Sequence, residues 1–210
     1  MHRLLSVAIV LALSAGTSAD AQFAIRVKGG ANVSNLSVTE NGAEPAIPYE
    51  SRTGMLLGAT AGVIVTPWLA VQLEGRCSQE GTQQIEDGAT ASLRLSYLDL
   101  PLVARISIPI DDSPLVPHVY AGGFVGFETG CGLRVSGVVS LELDCDVAAA
   151  DRQSTDYGVV FGGGTDVRLG PGAVTLDVEY ALGLRNMHTE PDGKAHSRVF
   201  AFAAGYELSL

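Results

Sequence analysis

The chain has 210 residues, a formal net charge of −10 at pH 7 and 17% charged residues. Its 25 glycines and 47% hydrophobic residues are typical of a strand-rich, acidic protein. The negative charge argues against a nucleic-acid partner, because binding phosphates requires a basic surface. Beyond residue 13 no stretch approaches the roughly 18 consecutive apolar residues that a membrane helix requires, which excludes a helical membrane protein.

The N-terminus has the pattern of a secretion signal. Arg3 gives it a positive charge, residues 4–13 form a short apolar core, and Ala19-Asp20-Ala21 matches an A-x-A cleavage site. We therefore assign residues 1–21 to a signal peptide and residues 22–210 to one mature domain.

The mature chain alternates polar and apolar residues in eight stretches. They cover residues 23–34, 53–65, 69–76, 97–106, 117–128, 156–168, 173–185 and 197–209. A period of two predicts β-strands with one apolar and one polar face. In the first stretch, for example, Ile25 and Val27 alternate with Arg26 and Lys28.

The connections between these stretches alternate in length. Short turns are predicted at residues 66–68, 108–116 and 169–172, and longer polar loops at residues 35–52, 79–91, 129–154 and 186–196. Short periplasmic turns, long external loops and an even number of strands are typical of bacterial outer-membrane barrels. We predict an all-β fold, an eight-stranded antiparallel up-and-down transmembrane β-barrel with both termini in the periplasm.

One part of the fourth stretch does not follow this pattern. Residues 93–96 are out of phase with the alternation that follows them. We therefore expect a bulge near Ser96 or a strand end that projects above the membrane.

Five segments of the chain are similar to the porin-like, or PorT-like, family of outer-membrane β-barrels. They are VKGGANVSNL at 27–36, LAVQLEG at 69–75, YLDLPL at 97–102, HVYAGG at 118–123 and DVEYALGL at 177–184. The resemblance implies a small eight-stranded barrel and no particular activity. The chain departs from the family pattern in ending with Leu210, where these barrels usually end in Phe.

Charged residues fall on the polar, inward face of the predicted strands. The interior of an eight-stranded barrel is just wide enough for side chains to fill, so buried charges there must pair. The predicted lumen charge network consists of Arg26, Lys28, Glu74, Arg76, Asp99, Arg105, Asp166, Arg168, Asp177, Glu179 and Glu207. The alternative is a small porin or proton path, for which inner-face glycines such as Gly54 and Gly162 leave some room.

Three cysteines follow the secretion signal. Cys131 and Cys145 bracket the longest predicted loop, and an oxidising compartment permits a disulfide between them. Such a bridge would stabilise the fold by roughly 3 kcal/mol on the chain-entropy model. Cys77 is then left unpaired near the outer rim.

The last stretch places an apolar residue at nearly every second position up to the C-terminus. This pattern is expected of a lipid-facing closing strand, which the barrel-assembly machinery reads as an insertion signal. The predicted assembly signal consists of Phe200, Phe202, Tyr206, Leu208 and Leu210.

These features predict a non-enzymatic, monomeric outer-membrane protein whose external loops serve surface interaction or envelope integrity. A lipid hydrolase would pair His196 with Ser197, but neighbouring residues of a strand point to opposite faces. A periplasmic lipocalin-like binding protein would need the apolar face inside. Expected partners are outer-membrane lipids, the assembly machinery and an unidentified extracellular ligand, and we expect no metal or other cofactor.

Overall fold

A computed structural model describes residues 22–40, 50–86, 89–136, 141–144, 154–186 and 193–209. The predicted signal peptide and Leu210 lie outside the described residues. Nine strands occur in these ranges: β1 Gln22–Glu40, β2 Glu50–Thr66, β3 Leu69–Glu86, β4 Ala89–Ser107, β5 Leu115–Ser136, β6 Leu141–Asp144, β7 Thr155–Leu169, β8 Gly172–Gly183 and β9 Gly193–Ser209.

Eight of these strands close into an antiparallel barrel. Each strand pairs with its neighbour along the chain, β5 pairs with β7, and β1 pairs with β9 to close the sheet. The short β6 pairs with residues 132–135 near the C-terminal end of β5 and is not one of the eight strands that close the barrel. Closure removes the sheet edges, so the backbone groups are satisfied in the membrane without a helix. The predicted eight-stranded barrel is confirmed.

The two faces of the strands differ as the alternation predicts. Phe23 and Met55 point outward with 55% and 66% of their surface exposed, whereas Arg26 and Lys28 are buried inside. Outward apolar side chains form a continuous band, which we call the membrane band; on β4 it runs from Ile106 to Leu98. An apolar exterior around a charged interior is the reverse of a lipocalin. Within the described residues no helix is long and apolar enough to cross a membrane.

The strands extend further on the loop side than the sequence indicates. The predicted loop at residues 79–91 is wrong, because β3 continues to Glu86 and β4 begins at Ala89. β1 likewise continues into the predicted loop at residues 35–52. Beyond the membrane band the outward face of a strand meets water rather than lipid, so the hydrogen-bonded ladder continues without the apolar alternation that identifies a strand in sequence.

The bulge expected near Ser96 is confirmed. Ser96 pairs with Gly130, but Tyr97 pairs with Glu128, so Thr129 is the extra residue and lies on β5. The Thr129 hydroxyl donates a hydrogen bond to the Ser96 carbonyl at 3.1 Å. The bulge lies where the membrane band ends on β4.

The closing strand gives the first prediction. Residues 206–209 of β9 pair with residues 24–27 of β1, so deleting residues 206–210 removes the hydrogen bonds that close the periplasmic end. We expect the truncated chain to be secreted but to lose the folded, heat-modifiable form on gels of outer-membrane fractions. A full-length Ser209→Ala variant, at an exposed position outside the charge network, keeps the ladder and should still insert. A truncated chain that inserts as well as the parent would contradict this account of closure.

Candidate functional site

The structure brings ten of the eleven predicted lumen charges together inside the barrel, each with at least one salt bridge to another. They are Arg26, Lys28, Glu74, Arg76, Asp99, Arg105, Asp166, Asp177, Glu179 and Glu207. The prediction for Arg168 is wrong: its side chain is exposed at the end of β7, beside the turn at Gly170. The inward face of β7 opens to water at this end of the barrel.

Five side chains form a closed ring near the periplasmic end, which we call the lower ring. Arg26 Nη2 lies 2.5 Å from Glu207 Oε2, and Arg105 Nη1 lies 3.1 Å from the same oxygen. Arg105 Nη2 lies 2.9 Å from His118 Nδ1, and His118 Nε2 lies 2.7 Å from Asp177 Oδ1. Asp177 Oδ2 returns to Arg26 Nη1 at 3.5 Å. The ring ties together strands from opposite sides of the barrel.

His118 is the member of this ring that the sequence analysis missed. Its side chain is fully buried, and it lies on the inward face of β5 between Arg105 and Asp177. A guanidinium can only donate, so Nδ1 accepts from Arg105 and the ring proton resides on Nε2, which donates to Asp177. Arg105 also bonds Asp166. The alternation places position 118 on the polar face, and that was the signal available in the sequence.

A second set of charges, the central chain, crosses the middle of the lumen. Lys28 Nζ lies 2.8 Å from Glu74 Oε2 and 3.6 Å from Glu179 Oε2. Glu179 also accepts a hydrogen bond from Arg76, whose Nε lies 3.2 Å from Asp99 Oδ2. These groups come from β1, β3, β4 and β8, so the chain bridges the interior from wall to wall.

Glycines on the inner face make room for large side chains rather than for an open channel. A Cβ on Gly162 would lie 2.6 Å from the Tyr120 hydroxyl, which donates to Glu179 at 3.1 Å. A Cβ on Gly58 would lie 2.8 Å from the Arg76 side chain. The glycine run at residues 162–164 therefore serves close packing, as a glycine within a strand often does.

On the extracellular side of the central chain, apolar groups narrow the interior. Phe124, Val160, Ala181 and Val199 form a buried cluster. A small cavity beside it is lined by Arg76, Glu80, Tyr97, Asp99, Phe124, Asp156, Ala181, Ser197 and Val199. This cavity brings three acids near a single cation, Arg76.

Glu80 is one of the three acids of this cavity and lies three residues beyond Cys77, where the membrane band ends on β3. Ser78 Oγ lies 3.0 Å from Glu80 Oε1 and 2.9 Å from Asp99 Oδ2. Burial, reinforced by the negative charge of Asp99, raises the pKa of Glu80 to about 8. The carboxyl is therefore held in its neutral form at neutral pH.

The arrangement offers no Ser–His pair for hydrolysis at positions 196 and 197. Ser197 is buried and donates a hydrogen bond to Asp156 Oδ2 at 2.7 Å, whereas His196 lies on the other face of β9. A nucleophilic serine needs its base in hydrogen-bond contact. No group of three or more His, Cys, Asp or Glu side chains that could hold a metal ion occurs in the described parts of the chain.

The remaining predicted sites lie at the surface. Cys77 is a free, exposed thiol on the outer face of β3. Cys131 lies on β5, but Cys145 lies outside the described residues, so the disulfide between them stays a prediction. Phe200, Phe202 and Leu208 point outward on β9 as the assembly signal requires, and reading of that signal by the assembly machinery also stays a prediction.

The fold and its membrane band define this protein as an outer-membrane β-barrel. A family model described as outer membrane protein beta-barrel domain matches residues 15–189, and the chain belongs to that family. Its location is the outer membrane. No curated protein sequence gives a significant match.

The chain is similar to solved structures of bacterial outer-membrane proteins. OprG from Pseudomonas aeruginosa is 15% identical, with a TM-score of 0.56 over 90% of this chain and 96% of that chain. Neisserial surface protein A is 14% identical, with a TM-score of 0.47 over 91% of this chain and 99% of that chain. At these identities the likeness to OprG shows the fold alone.

The lower ring predicts that Arg105 contributes far more than Arg168 to the free energy of unfolding. Arg105→Ala leaves Glu207 and Asp166 buried without this partner and should lower the free energy of unfolding by about 3–5 kcal/mol. Arg168→Ala, the matched control at an exposed site, should change it by less than about 0.5 kcal/mol. Urea unfolding in detergent micelles, followed by the fluorescence of the single tryptophan, Trp68, measures both. Equal effects would contradict the network.

The raised pKa of Glu80 predicts that the stability of the barrel depends on pH. Its carboxyl ionises with an ordinary pKa in the unfolded chain but only near pH 8 in the barrel, so folding becomes less favourable as the pH rises from about 4.5 to 8. Glu80→Gln removes this loss. At pH 9 it should raise the free energy of unfolding by about 1–2 kcal/mol, with little change at pH 4. A variant less stable than the parent at pH 9 would show that the ionised carboxylate stabilises the fold.

Proposed function

We propose that this protein is a non-enzymatic barrel whose filled lumen serves as a rigid scaffold and whose function lies at the extracellular surface, in surface interaction or envelope integrity. The observation that supports this most directly is the central chain, which spans the interior from wall to wall. A solute path would have to displace these charges. Displacing a buried partner costs several kcal/mol, which opposes frequent opening.

The extracellular part of the barrel suits a binding platform. On β3 and β4 the paired strands continue for nine residues from the level of Cys77 and Leu98 to Glu86 and Ala89. At the usual rise per residue this hairpin extends about 30 Å along the strand direction. Binding residues commonly lie on loops that a rigid scaffold holds. The candidates are residues 41–49, 145–153 and 187–192, which fall within the loops predicted from the sequence at residues 35–52, 129–154 and 186–196.

Several further features belong to the same proposal. Residues 1–21 act as a cleaved signal peptide, and a bridge between Cys131 and Cys145 restrains an external loop. The chain is a monomer of the porin-like, PorT-like branch of its family. Its partners are outer-membrane lipids, the barrel-assembly machinery and an extracellular ligand, and it needs no cofactor.

Planar-bilayer recording tests the filled lumen. We expect only small, rare openings from the parent protein, because side chains occupy the interior. The double variant Arg76→Ala with Glu179→Ala removes the middle of the central chain and should raise the conductance, whereas Arg168→Ala should not. Steady, large-conductance openings in the parent would contradict the scaffold and favour the small porin.

The surface role needs a test in cells. Replacing residues 146–153 with a glycine-serine linker, which keeps Cys145, should abolish the contribution to detergent resistance or surface binding in a strain that lacks the chromosomal copy, without lowering the amount of folded barrel. A strain that behaves like the parent after replacement of all three candidate loops would contradict a function carried by the loops.

A further inference from the structure

The hydroxyl of Ser78 lies between two carboxyl groups of the small cavity. Its Oγ lies 3.0 Å from Glu80 Oε1 and 2.9 Å from Asp99 Oδ2. A hydroxyl has one hydrogen, so it donates to one of these oxygens and accepts from the other, whose carboxyl group must carry a proton. Asp99 also accepts a hydrogen bond from Arg76 Nε at 3.2 Å, which makes it the ionised acid. Glu80 is therefore the protonated acid, and it donates to Ser78.

The charges around Glu80 favour this neutral state. The charged and titratable side chains that face it or contact its main chain come from four strands: Arg76 on β3, Tyr97 and Asp99 on β4, Asp156 on β7 and Arg52 on β2. Arg76 is the one cation among the side chains that line the cavity, and it already pairs with Asp99 and Glu179. An ionised Glu80 would be a third carboxylate there, which agrees with its raised pKa of about 8.

The piece of β3 that carries Glu80 is held less firmly than its surroundings. Residues 79–81 have no partner in the ladder with β2, although both strands are described there, and they pair only with β4. Side chains replace the missing ladder: Arg52 Nη1 donates to the Glu80 carbonyl at 2.9 Å, and the Gly81 N–H donates to Ser34 Oγ at 2.9 Å. A segment with few ladder hydrogen bonds opens more readily than the rest of a sheet.

Loss of the proton changes the hydrogen bonds in a defined way. When Glu80 passes its proton to water, one hydroxyl hydrogen remains for two carboxylates. Arg76 keeps Asp99 in place, so Ser78 donates to Asp99 and no longer holds Glu80. Glu80 lies four residues beyond Arg76 towards the extracellular end of β3, so the repelled carboxylate is solvated by turning towards the water outside.

We propose that Glu80 is a proton-operated latch: its neutral carboxyl, bonded to Ser78, closes the cavity, and its ionised carboxylate turns outward and opens the cavity to water. The latch goes beyond the proposed function, because it lies inside the mouth of the barrel and does not involve the external loops. The salt bridge between Arg76 and Glu179 does not depend on it, so the central chain stays in place. The latch makes the mouth of the barrel respond to extracellular pH.

Access of a small thiol reagent to the cavity tests the latch. Val199 lines the cavity with 6% of its surface exposed, and we replace it with cysteine in a Cys77→Ser background. The folded barrel in detergent is treated with methyl methanethiosulfonate, which is uncharged, and labelling is followed by intact mass against the same background without Val199→Cys. Ala181→Cys, at another buried position of the cavity wall, serves as the second probe.

The decisive quantity is the labelling rate with Glu80 divided by the rate with Glu80→Gln, which stays neutral at every pH. The division removes the intrinsic effect of pH on the thiol. We expect a ratio near one at pH 6.5 and a rise of about tenfold or more at pH 9.5. The ionised fraction of a group with a pKa of about 8 increases about thirtyfold between these values. Ser78→Ala removes the hydroxyl that holds Glu80 and should label fast at pH 6.5 as well.

Two control variants separate the latch from general effects of pH. Glu50→Gln removes an exposed acid at the extracellular end of β2 and should keep the full response. Thr175→Cys, used in place of Val199→Cys, puts the thiol at a fully buried position beside Asp177 of the lower ring and should stay unlabelled at both pH values. Each variant must first show the heat-modifiable folded form at both pH values.

Four results would overturn the proposal. A ratio that stays near one at both pH values would show that ionisation of Glu80 does not open the cavity. Slow labelling of Ser78→Ala at pH 6.5 would show that the hydroxyl is not what holds Glu80. Loss of the response in Glu50→Gln would show a general effect of surface charge. Labelling of Thr175→Cys that rises in parallel would show that the whole barrel loosens.

Discussion

The narrow bore of an eight-stranded barrel is the constraint on which the rest of this structure depends. Side chains from opposite walls meet in its interior, so each inward charge must find a partner there or remain buried alone at high cost. The lower ring and the central chain satisfy this requirement with groups from different strands. They also tie distant parts of the wall together. The charge pairs in the interior thus contribute to the stability of the barrel, in addition to the contact of its apolar exterior with lipid.

The alternation of residues was sufficient to predict strand number, strand direction and the inward face, because the membrane requires an apolar exterior at every second position. It placed ten of the eleven charges inside but could not say that Arg26 faces Glu207 or that Arg76 faces Glu179, since pairing across the lumen depends on strand stagger and tilt. Arg168 shows a second limit, because alternation gives the face of a residue but not its depth.

The same physics explains why the extracellular part was harder to predict. Beyond the membrane band the strands need no apolar face, so β3 and β4 continue through a segment that resembles a polar loop. Glu80 lies in this transition zone, where the outward face of the strands passes from lipid to water. Because Glu80 has a raised pKa, its charge changes with the pH near neutrality, whereas the paired charges nearer the periplasmic end have a structural role.

A double-mutant cycle on Lys28 and Glu74 tests the central claim most directly. These side chains come from β1 and β3, two strands that do not pair with each other, and their charged atoms lie 2.8 Å apart. The free energy of unfolding is measured for the parent, Lys28→Met, Glu74→Gln and the double variant. If the charges in the lumen stabilise one another, the coupling energy between Lys28 and Glu74 should be about 1.5 kcal/mol or more. Additive effects, with a coupling energy below about 0.3 kcal/mol, would contradict it.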